Sequence, residues 1–121
     1  MLVINIGGEG EVPGAINMNS LVARLRRTHE IRKAGPLVQG DFTRLPIRSG
    51  VVDEIIGNRL PFLHGEVARR MCEEALRVLR RGGMAKLEAS TGGGAVLVEY
   101  LLAAGFRDVR VEVNHAVGVK P

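Results

Sequence analysis

The chain has 121 residues, 45% of them hydrophobic, so one domain spanning residues 1–121 with its own apolar core is the expected unit. No apolar run approaches the ~18 residues of a membrane span, and the first residues lack the basic segment of a signal peptide, so we expect a cytoplasmic protein. The net charge of +4 is compatible with a nucleic-acid or acidic partner, while the single cysteine excludes an internal disulfide or a cysteine-based zinc site.

The first third of the chain predicts three strands, a glycine-rich loop and one helix. Leu2–Ile6 is a nearly continuous apolar run, as in a buried parallel strand. Gly7–Gly14 contains four glycines and is predicted to be a loop, and the alternating Ala15–Asn19 to be a second strand. A helix over Leu21–Lys33 and a third strand over Leu37–Gln39 complete this part.

The middle of the chain contains the clearest helical pattern. We predict a fourth strand over Val51–Ile56, a loop over Gly57–Gly65, a helix over Glu66–Arg81 that ends at Gly82, and a fifth strand over Met84–Ala89. The helix buries one apolar stripe, whose members are Ala68, Met71, Cys72, Ala75, Leu76 and Leu79.

The outer face of the predicted helix is rich in arginine. The spacing predicts opposite-charge pairs between Arg70 and Glu74 and between Glu73 and Arg77. A solvated helix face explains this composition, and contact with nucleic acid is the alternative.

The last part of the chain predicts a short helix and a hairpin. A helix over Ala95–Ala104 ends at Gly105, and strands over Phe106–Val113 and His115–Lys120 are joined by a tight turn at Asn114. Strands that alternate with helices indicate an α/β fold with a mostly parallel sheet, and the hairpin adds an antiparallel C-terminal edge.

Three segments in fixed order resemble the middle of a class I S-adenosylmethionine (SAM) dependent methyltransferase of the type 11 kind. They are Gly-Asp-Phe-Thr-Arg-Leu-Pro-Ile over Gly40–Ile47, Val-Asp-Glu-Ile-Ile over Val52–Ile56, and Glu-Ala-Leu-Arg-Val-Leu-Arg-Arg-Gly-Gly over Glu74–Gly83. The family has a GDAxxLPF turn, a strand opened by aspartate and a helix that ends in RVLkPGG. The resemblance implies a Rossmann-like sheet of seven strands and SAM as the cofactor.

The resemblance also implies a set of cofactor-binding residues beyond the carboxyl ends of the strands. They are Asn5, Gly7, Gly8, Gly10, Asn17, Asp41, Phe42 and Asn58. Asn17, near Asn19, is at the position of the acid that binds the ribose, and Asp41 is at the position that contacts adenine. Taken alone, the glycines also fit a structural turn, and Asp41 fits an aspartate that bonds its own backbone.

Several residues depart from the family pattern. The acid of the first motif is Asn5 here, the ribose acid is Asn17, and Glu9 and Glu11 add negative charge to the glycine-rich loop. This charge repels phosphates, which favours a zwitterionic cofactor such as SAM over a dinucleotide. No nucleophile–base pair and no metal-ligand spacing can be argued, so the catalytic residue is left unassigned, with His64 a candidate substrate contact.

The first crossover is too short for its usual helix. Only eight residues separate Ile6 from Ala15, whereas a parallel crossover normally takes a dozen or more. We therefore predict that the first crossover helix is missing and that one sheet face exposes apolar surface. Such a face favours a homodimer or a larger partner subunit. Two functions remain open: a SAM-binding methyltransferase with an unknown acceptor, and a degenerate domain that only binds partners.

Overall fold

Seven strands form one sheet in the computed structural model, which describes residues 1–8, 11–19, 37–61 and 63–121. The strands are β1 (Val3–Ile6), β2 (Ile16–Asn19), β3 (Leu37–Gln39), β4 (Val52–Leu60), β5 (Leu79–Ala89), β6 (Arg107–Glu112) and β7 (His115–Val119). Their order in the sheet is β3-β2-β1-β4-β5-β7-β6. Pairing is parallel from β3 to β5, and β7 is antiparallel to both β5 and β6. The mostly parallel sheet with an antiparallel C-terminal edge is therefore confirmed.

Two α-helices of the described residues cover one face of this sheet. They are α1 (Gly65–Val78) and α2 (Val98–Ala104), and a 3-10 turn over Ala95–Leu97 precedes α2. Cys72 is fully buried in the apolar stripe of α1, as predicted, and this burial raises the pKa of its thiol to about 12. Gly105 ends α2 in the left-handed conformation, also as predicted. No helix among the described residues is long and apolar enough to span a bilayer.

The predicted helix over Leu21–Lys33 and the loop residues Glu9 and Gly10 lie outside the described residues. The third strand is found at the predicted bounds, Leu37–Gln39, and parallel to β2. The described residues between β1 and β2, which are 7–8 and 11–15, contain no helix, in agreement with the short crossover.

The predicted end of α1 at Arg81 and Gly82 is wrong. The helix ends at Val78, and Leu79 is already extended, with φ −67° and ψ 142°. Strand β5 therefore begins at Leu79 and not at the predicted Met84. Gly82 has a φ of 78° and lies in a bulge of β5 instead of acting as a helix stop.

Long-range partners explain why α1 ends early. The backbone N–H of Val51 donates to the carbonyl of Val78 at 2.9 Å. The Lys120 ammonium donates to the carbonyl of Leu79 at 2.7 Å and to that of Arg77 at 3.4 Å. These contacts satisfy the carbonyls at the negative end of the helix, so the chain gains little from another helical turn.

The loop predicted over Gly57–Gly65 also needs correction, because β4 continues beyond Ile56 to Leu60. Leu60 is 1% exposed and pairs with Ala89 of β5, so burial and sheet hydrogen bonds extend the strand. The pairing shifts register between Gly57 and Leu60, which makes a bulge near the end of β4.

The two ion pairs predicted on α1 do not form. Glu74 pairs with Arg77, at 2.6 Å between Oε2 and Nε, instead of with Arg70. Glu74 Oε1 also accepts from the backbone N–H of Leu45 at 2.9 Å, and Arg77 Nη2 donates to the carbonyl of Leu45 at 3.0 Å. Both side chains are thus directed by the loop before β4, whose polar backbone groups they satisfy.

The sheet face opposite the two helices is less apolar than predicted. Strand residues in register share a face, and those toward the helices are fully or almost fully buried. On the opposite face, half-buried polar and apolar residues mix; they are Val3, Glu54, Ile56, Met84 and Lys86. The apolar surface expected on this face is therefore present in part, because Val3, Ile56 and Met84 are half-buried and charged residues alternate with them.

We expect replacement of Lys120 by methionine to lower the free energy of unfolding by about 1–2 kcal/mol, because it removes the donor at the end of α1. Lys86→Met is the matched control, since Lys86, in β5, is likewise a half-buried lysine. Urea unfolding followed by circular dichroism measures both. Equal effects of the two substitutions would contradict the capping role.

We expect Glu74 to make stability depend on pH. The hydrogen bond from Arg77, together with that from the amide of Leu45, lowers the pKa of Glu74 below its ordinary 4.5, against a smaller opposing effect of burial. This carboxylate therefore stabilises the fold above pH 4.5, and the contribution is lost as the pH falls through the folded pKa. In urea titrations, Glu74→Gln should make the free energy of unfolding decline less steeply between about pH 5 and pH 3. Glu99→Gln, on the exposed surface, should leave this decline unchanged. If the two variants gave parallel curves of unfolding free energy against pH, this role of Glu74 would be refuted.

Candidate functional site

Three asparagines lie at the carboxyl edge of the sheet, where the strand order reverses between β1 and β4. Asn5 and Asn17 are fully buried and are direct partners in the β1–β2 pairing. Asn58 lies near the end of β4, where the pairing with β5 shifts register, and is half-buried. Ligands of open α/β sheets bind at this switch point, so the structure brings three predicted residues to the expected place.

A chain of hydrogen bonds joins these asparagines. Asn5 Nδ2 donates to Asn17 Oδ1 at 3.3 Å and to Glu11 Oε1 at 2.7 Å. The other oxygen of Glu11 accepts from Asn58 Nδ2 at 3.4 Å, and Asn58 Oδ1 lies 2.6 Å from His115 Nε2. We call Asn17, Asn5, Glu11, Asn58 and His115 the amide–carboxylate chain.

The donors and acceptors of the amide–carboxylate chain fix the direction of its hydrogen bonds. An ionised Glu11 only accepts hydrogen bonds, so Asn58 must present its NH₂ group to Glu11 and its oxygen to His115. With Asn58 in this orientation, the Nε2–H of His115 donates the hydrogen bond to Asn58 Oδ1. One carboxylate thus sets both the amide orientation at the end of β4 and the tautomer of a histidine on β7.

One buried polar atom of the amide–carboxylate chain lacks a hydrogen-bond partner among the described residues. Asn5 Oδ1 is buried and accepts no hydrogen bond from the described residues. A buried acceptor without a donor costs roughly 1–3 kcal/mol, so such atoms in native proteins call for an explanation. A donor group of a bound ligand would satisfy it.

The glycine turn after β1 has a structural reason of its own. Gly7 has a φ of 66°, and its N–H donates to the carbonyl of Met18 at 2.6 Å. A Cβ on Gly8 would lie 2.6 Å from side-chain atoms of both Asn5 and Asn17. Gly8 therefore makes room for the two buried amides, while Gly7 provides the left-handed turn.

A cleft of about 470 Å³ opens beside this turn. We call it the site cleft; its described lining is Gly7, Glu11, Asn58, Arg59, Leu60, Pro61 and Glu88. Glu88 Oε1 accepts from the backbone N–H of Arg59 at 3.1 Å. With two carboxylates and one guanidinium, the site cleft suits a ligand that carries positive charge and several hydrogen-bonding groups.

A second cleft adjoins the first and is mainly apolar. This apolar cleft has a volume of about 540 Å³ and is lined by Leu60, Pro61, Leu63, His64, Ala89, Ser90, Thr91 and Val96. It shares Leu60 and Pro61 with the site cleft. His64, the candidate substrate contact, is exposed and immediately precedes α1, so it lies in this cleft and not beside the asparagines.

Asp41 and Phe42 are not brought to the site cleft. Asp41 Oδ1 accepts from the N–H and hydroxyl of Thr43 at 2.8 and 2.7 Å, which lowers the pKa of Asp41. Its groove, of about 710 Å³, is lined by α1 side chains, and Phe42 is half-buried against the core. Asp41 thus has the contacts of a turn aspartate, and its contact with adenine stays a prediction, as does a role for Gly10 outside the described residues.

Sequence reasoning missed His115, Glu88 and Arg59 and noted Glu11 only as a departure from the family pattern. The start of β7 lies at the carboxyl end of β5, because the two strands are antiparallel. The predicted hairpin therefore contained the signal for His115. No group of three His, Cys, Asp or Glu side chains in the described part of the chain could hold a metal ion.

Comparison with known proteins identifies the fold. No family model and no curated protein matches the chain. A TehB-like SAM-dependent methyltransferase from Corynebacterium glutamicum aligns with a TM-score of 0.74 and 15% identity, over 98% of this chain and 79% of that one. The methyltransferase solved with the Trm112 activator of Haloferax volcanii aligns with a TM-score of 0.72 and 14% identity, over 99% of this chain and 82% of that one.

The fold is that of the class I SAM-dependent methyltransferases. At these identities the likeness concerns the fold alone. The (4+2)-cyclase SpnF, with a TM-score of 0.64 and 16% identity over 90% of this chain and 52% of that one, shows that proteins of this shape also include a cyclase. Function must therefore be argued from the site.

We expect Gly8→Ala to lower stability by about 1–3 kcal/mol through overpacking against the two buried amides. Asn17→Ala in the same protein should recover part of that loss, because it removes one of the clashing side chains. A double-mutant cycle of urea unfolding free energies measures this coupling. Strictly additive losses would show that the glycine is not required by Asn17.

Proposed function

We propose that this chain is a cytoplasmic methyltransferase that binds SAM in the site cleft. The observation that carries the proposal is the amide–carboxylate chain at the switch point, with the unsatisfied Asn5 Oδ1 beside a tight glycine turn. The methyltransferase fold supports it. The cofactor-binding residues in this proposal are the switch-point residues Asn5, Gly7, Gly8, Gly10, Asn17 and Asn58. Asp41 and Phe42 do not line the site cleft and are left out of it.

The residues of the site cleft fit the chemistry of SAM. The cofactor combines a carboxylate with an ammonium and a sulfonium group, so it is a net cation at neutral pH. Glu11 and Glu88 provide negative charge in the cleft. Asn5 Oδ1, which does not line the cleft but belongs to a side chain bonded to Glu11, is a buried acceptor without a donor. The negative charge of Glu11, which departs from the family pattern, is therefore compatible with this cofactor.

When bound, SAM supplies an electrophilic methyl group, and the protein must mainly align a nucleophile with it. Asn58 is suited to such alignment because Glu11 and His115 hold its amide from opposite sides. The apolar cleft beside it can exclude water from the acceptor. The arrangement supports positioning as the main contribution of the chain.

A partner-binding domain without catalysis is the second candidate. The buried amides at Asn5 and Asn17, in place of acids, favour it. The half-buried sheet face opposite the helices offers a surface for a second copy or a larger subunit, and the Haloferax relative was solved with an activator protein. Cofactor binding distinguishes the two candidates.

Calorimetric titration with SAM and with S-adenosylhomocysteine tests the proposal. We expect both to bind, and Glu11→Gln to weaken SAM about tenfold more than S-adenosylhomocysteine, because only SAM carries the sulfonium charge. Glu54→Gln, on the same sheet but outside the cleft lining, is the matched control and should change neither affinity.

Absence of heat, together with an unchanged melting temperature at millimolar ligand, would overturn the methyltransferase proposal. A ligand at 100 times its dissociation constant should stabilise the fold by about 2.7 kcal/mol, so binding could not escape both measurements. Sedimentation of the same sample would then show whether the chain forms a dimer, which is one of the two assemblies that the second candidate allows.

A further inference from the structure

The backbone at Arg59 is strained beside the site cleft. Arg59 has a φ of 49°, a left-handed conformation that is uncommon for residues other than glycine, asparagine and aspartate. It lies in the bulge between Gly57 and Leu60, and its N–H is held by Glu88. Bulges and strained residues near active sites commonly direct a side chain toward a ligand, so the position of Arg59 calls for a functional reason.

The guanidinium of Arg59 has no hydrogen bond or ion pair within the described residues. Most other arginines of this part have carboxylate partners; they are Arg69, Arg70, Arg77, Arg80, Arg107 and Arg110. Among the described arginines without such a partner, Arg59 is the one that lines the site cleft. An available guanidinium at a concave site is a strong binding group for an anion.

The apolar cleft adjoins the site cleft that Arg59 lines. Leu60 and Pro61, the next two residues, line both clefts, and Leu63, Ala89 and Val96 extend the apolar wall. Its volume of about 540 Å³ is in the range of pockets that hold small molecules. A ligand that contacts Arg59 can therefore place an apolar group in this cleft.

We propose that Arg59 binds the carboxylate of a small methyl acceptor whose apolar part occupies the apolar cleft. The inference rests on the proposed methyltransferase function and specifies its acceptor class. Glu11 and Glu88 line the same site cleft, so a singly charged carboxylate suits it better than a doubly charged phosphate.

The charges on α1 argue against nucleic acid as the acceptor. Arg69 and Arg70 are paired with Glu66, and Arg77 is paired with Glu74, so this face lacks a continuous basic patch. A single available arginine in a cleft recognises one anionic group, whereas a nucleic-acid backbone presents many.

Matched pairs of carboxylates and amides test the proposal. The probes are octanoate with octanamide and 3-phenylpropanoate with 3-phenylpropanamide, titrated into ¹⁵N-labelled protein with and without S-adenosylhomocysteine. We expect each carboxylate to bind about tenfold more tightly than its amide. The preference should disappear in Arg59→Gln and persist in Arg81→Gln, whose arginine is exposed and outside the cleft.

Equal affinities within each pair, or a preference that survives Arg59→Gln, would overturn the proposal. Arg59-dependent binding of a 20-nucleotide single-stranded RNA without any carboxylate preference would overturn it in favour of nucleic acid. The titration with S-adenosylhomocysteine alone separates the two claims. If that ligand fails to bind while the Arg59-dependent preference holds, the carboxylate site is supported and the methyltransferase proposal is not.

Discussion

The bond between the buried amide of Asn5 and the carboxylate of Glu11 is the constraint on which the site depends. The β1–β2 crossover covers only positions 7–15, and its described residues contain no helix to fix it in place. At 2.7 Å, the bond ties the loop back to β1. Through its second oxygen, Glu11 also reaches the end of β4, so the loop that closes the crossover organises the cleft.

This arrangement leaves the polar network of the site only partly satisfied. A buried polar network stabilises a protein only when its members are satisfied, and a partly satisfied network is costly. Asn5 Oδ1 is the buried side-chain atom of the described residues that lacks a partner, and it belongs to the residue that joins Asn17 to Glu11. A ligand that donates a hydrogen bond to this atom would complete the network and would gain affinity from that bond.

The sequence predicts the sheet well because apolar runs and turns are local signals. The Leu37–Gln39 strand is found at its predicted bounds, and β1 and β2 differ by one residue at their starts. The end of α1 could not be predicted, because it depends on Lys120, which reaches Leu79 across 41 positions. The site was predicted in part: the motif indicates Asn5 and Asn17, but His115 contacts Asn58 across 57 positions, beyond any local pattern.

The interior position of β7 has a consequence for biosynthesis. β7 follows β6 in the chain, yet it lies between β5 and β6 in the sheet. While the ribosome still holds residues 115–119, β6 has no strand to pair with, and His115 cannot reach Asn58. The sheet and the polar network can therefore be completed only when this segment has left the exit tunnel, so a stalled ribosome would present an unfinished sheet edge to chaperones.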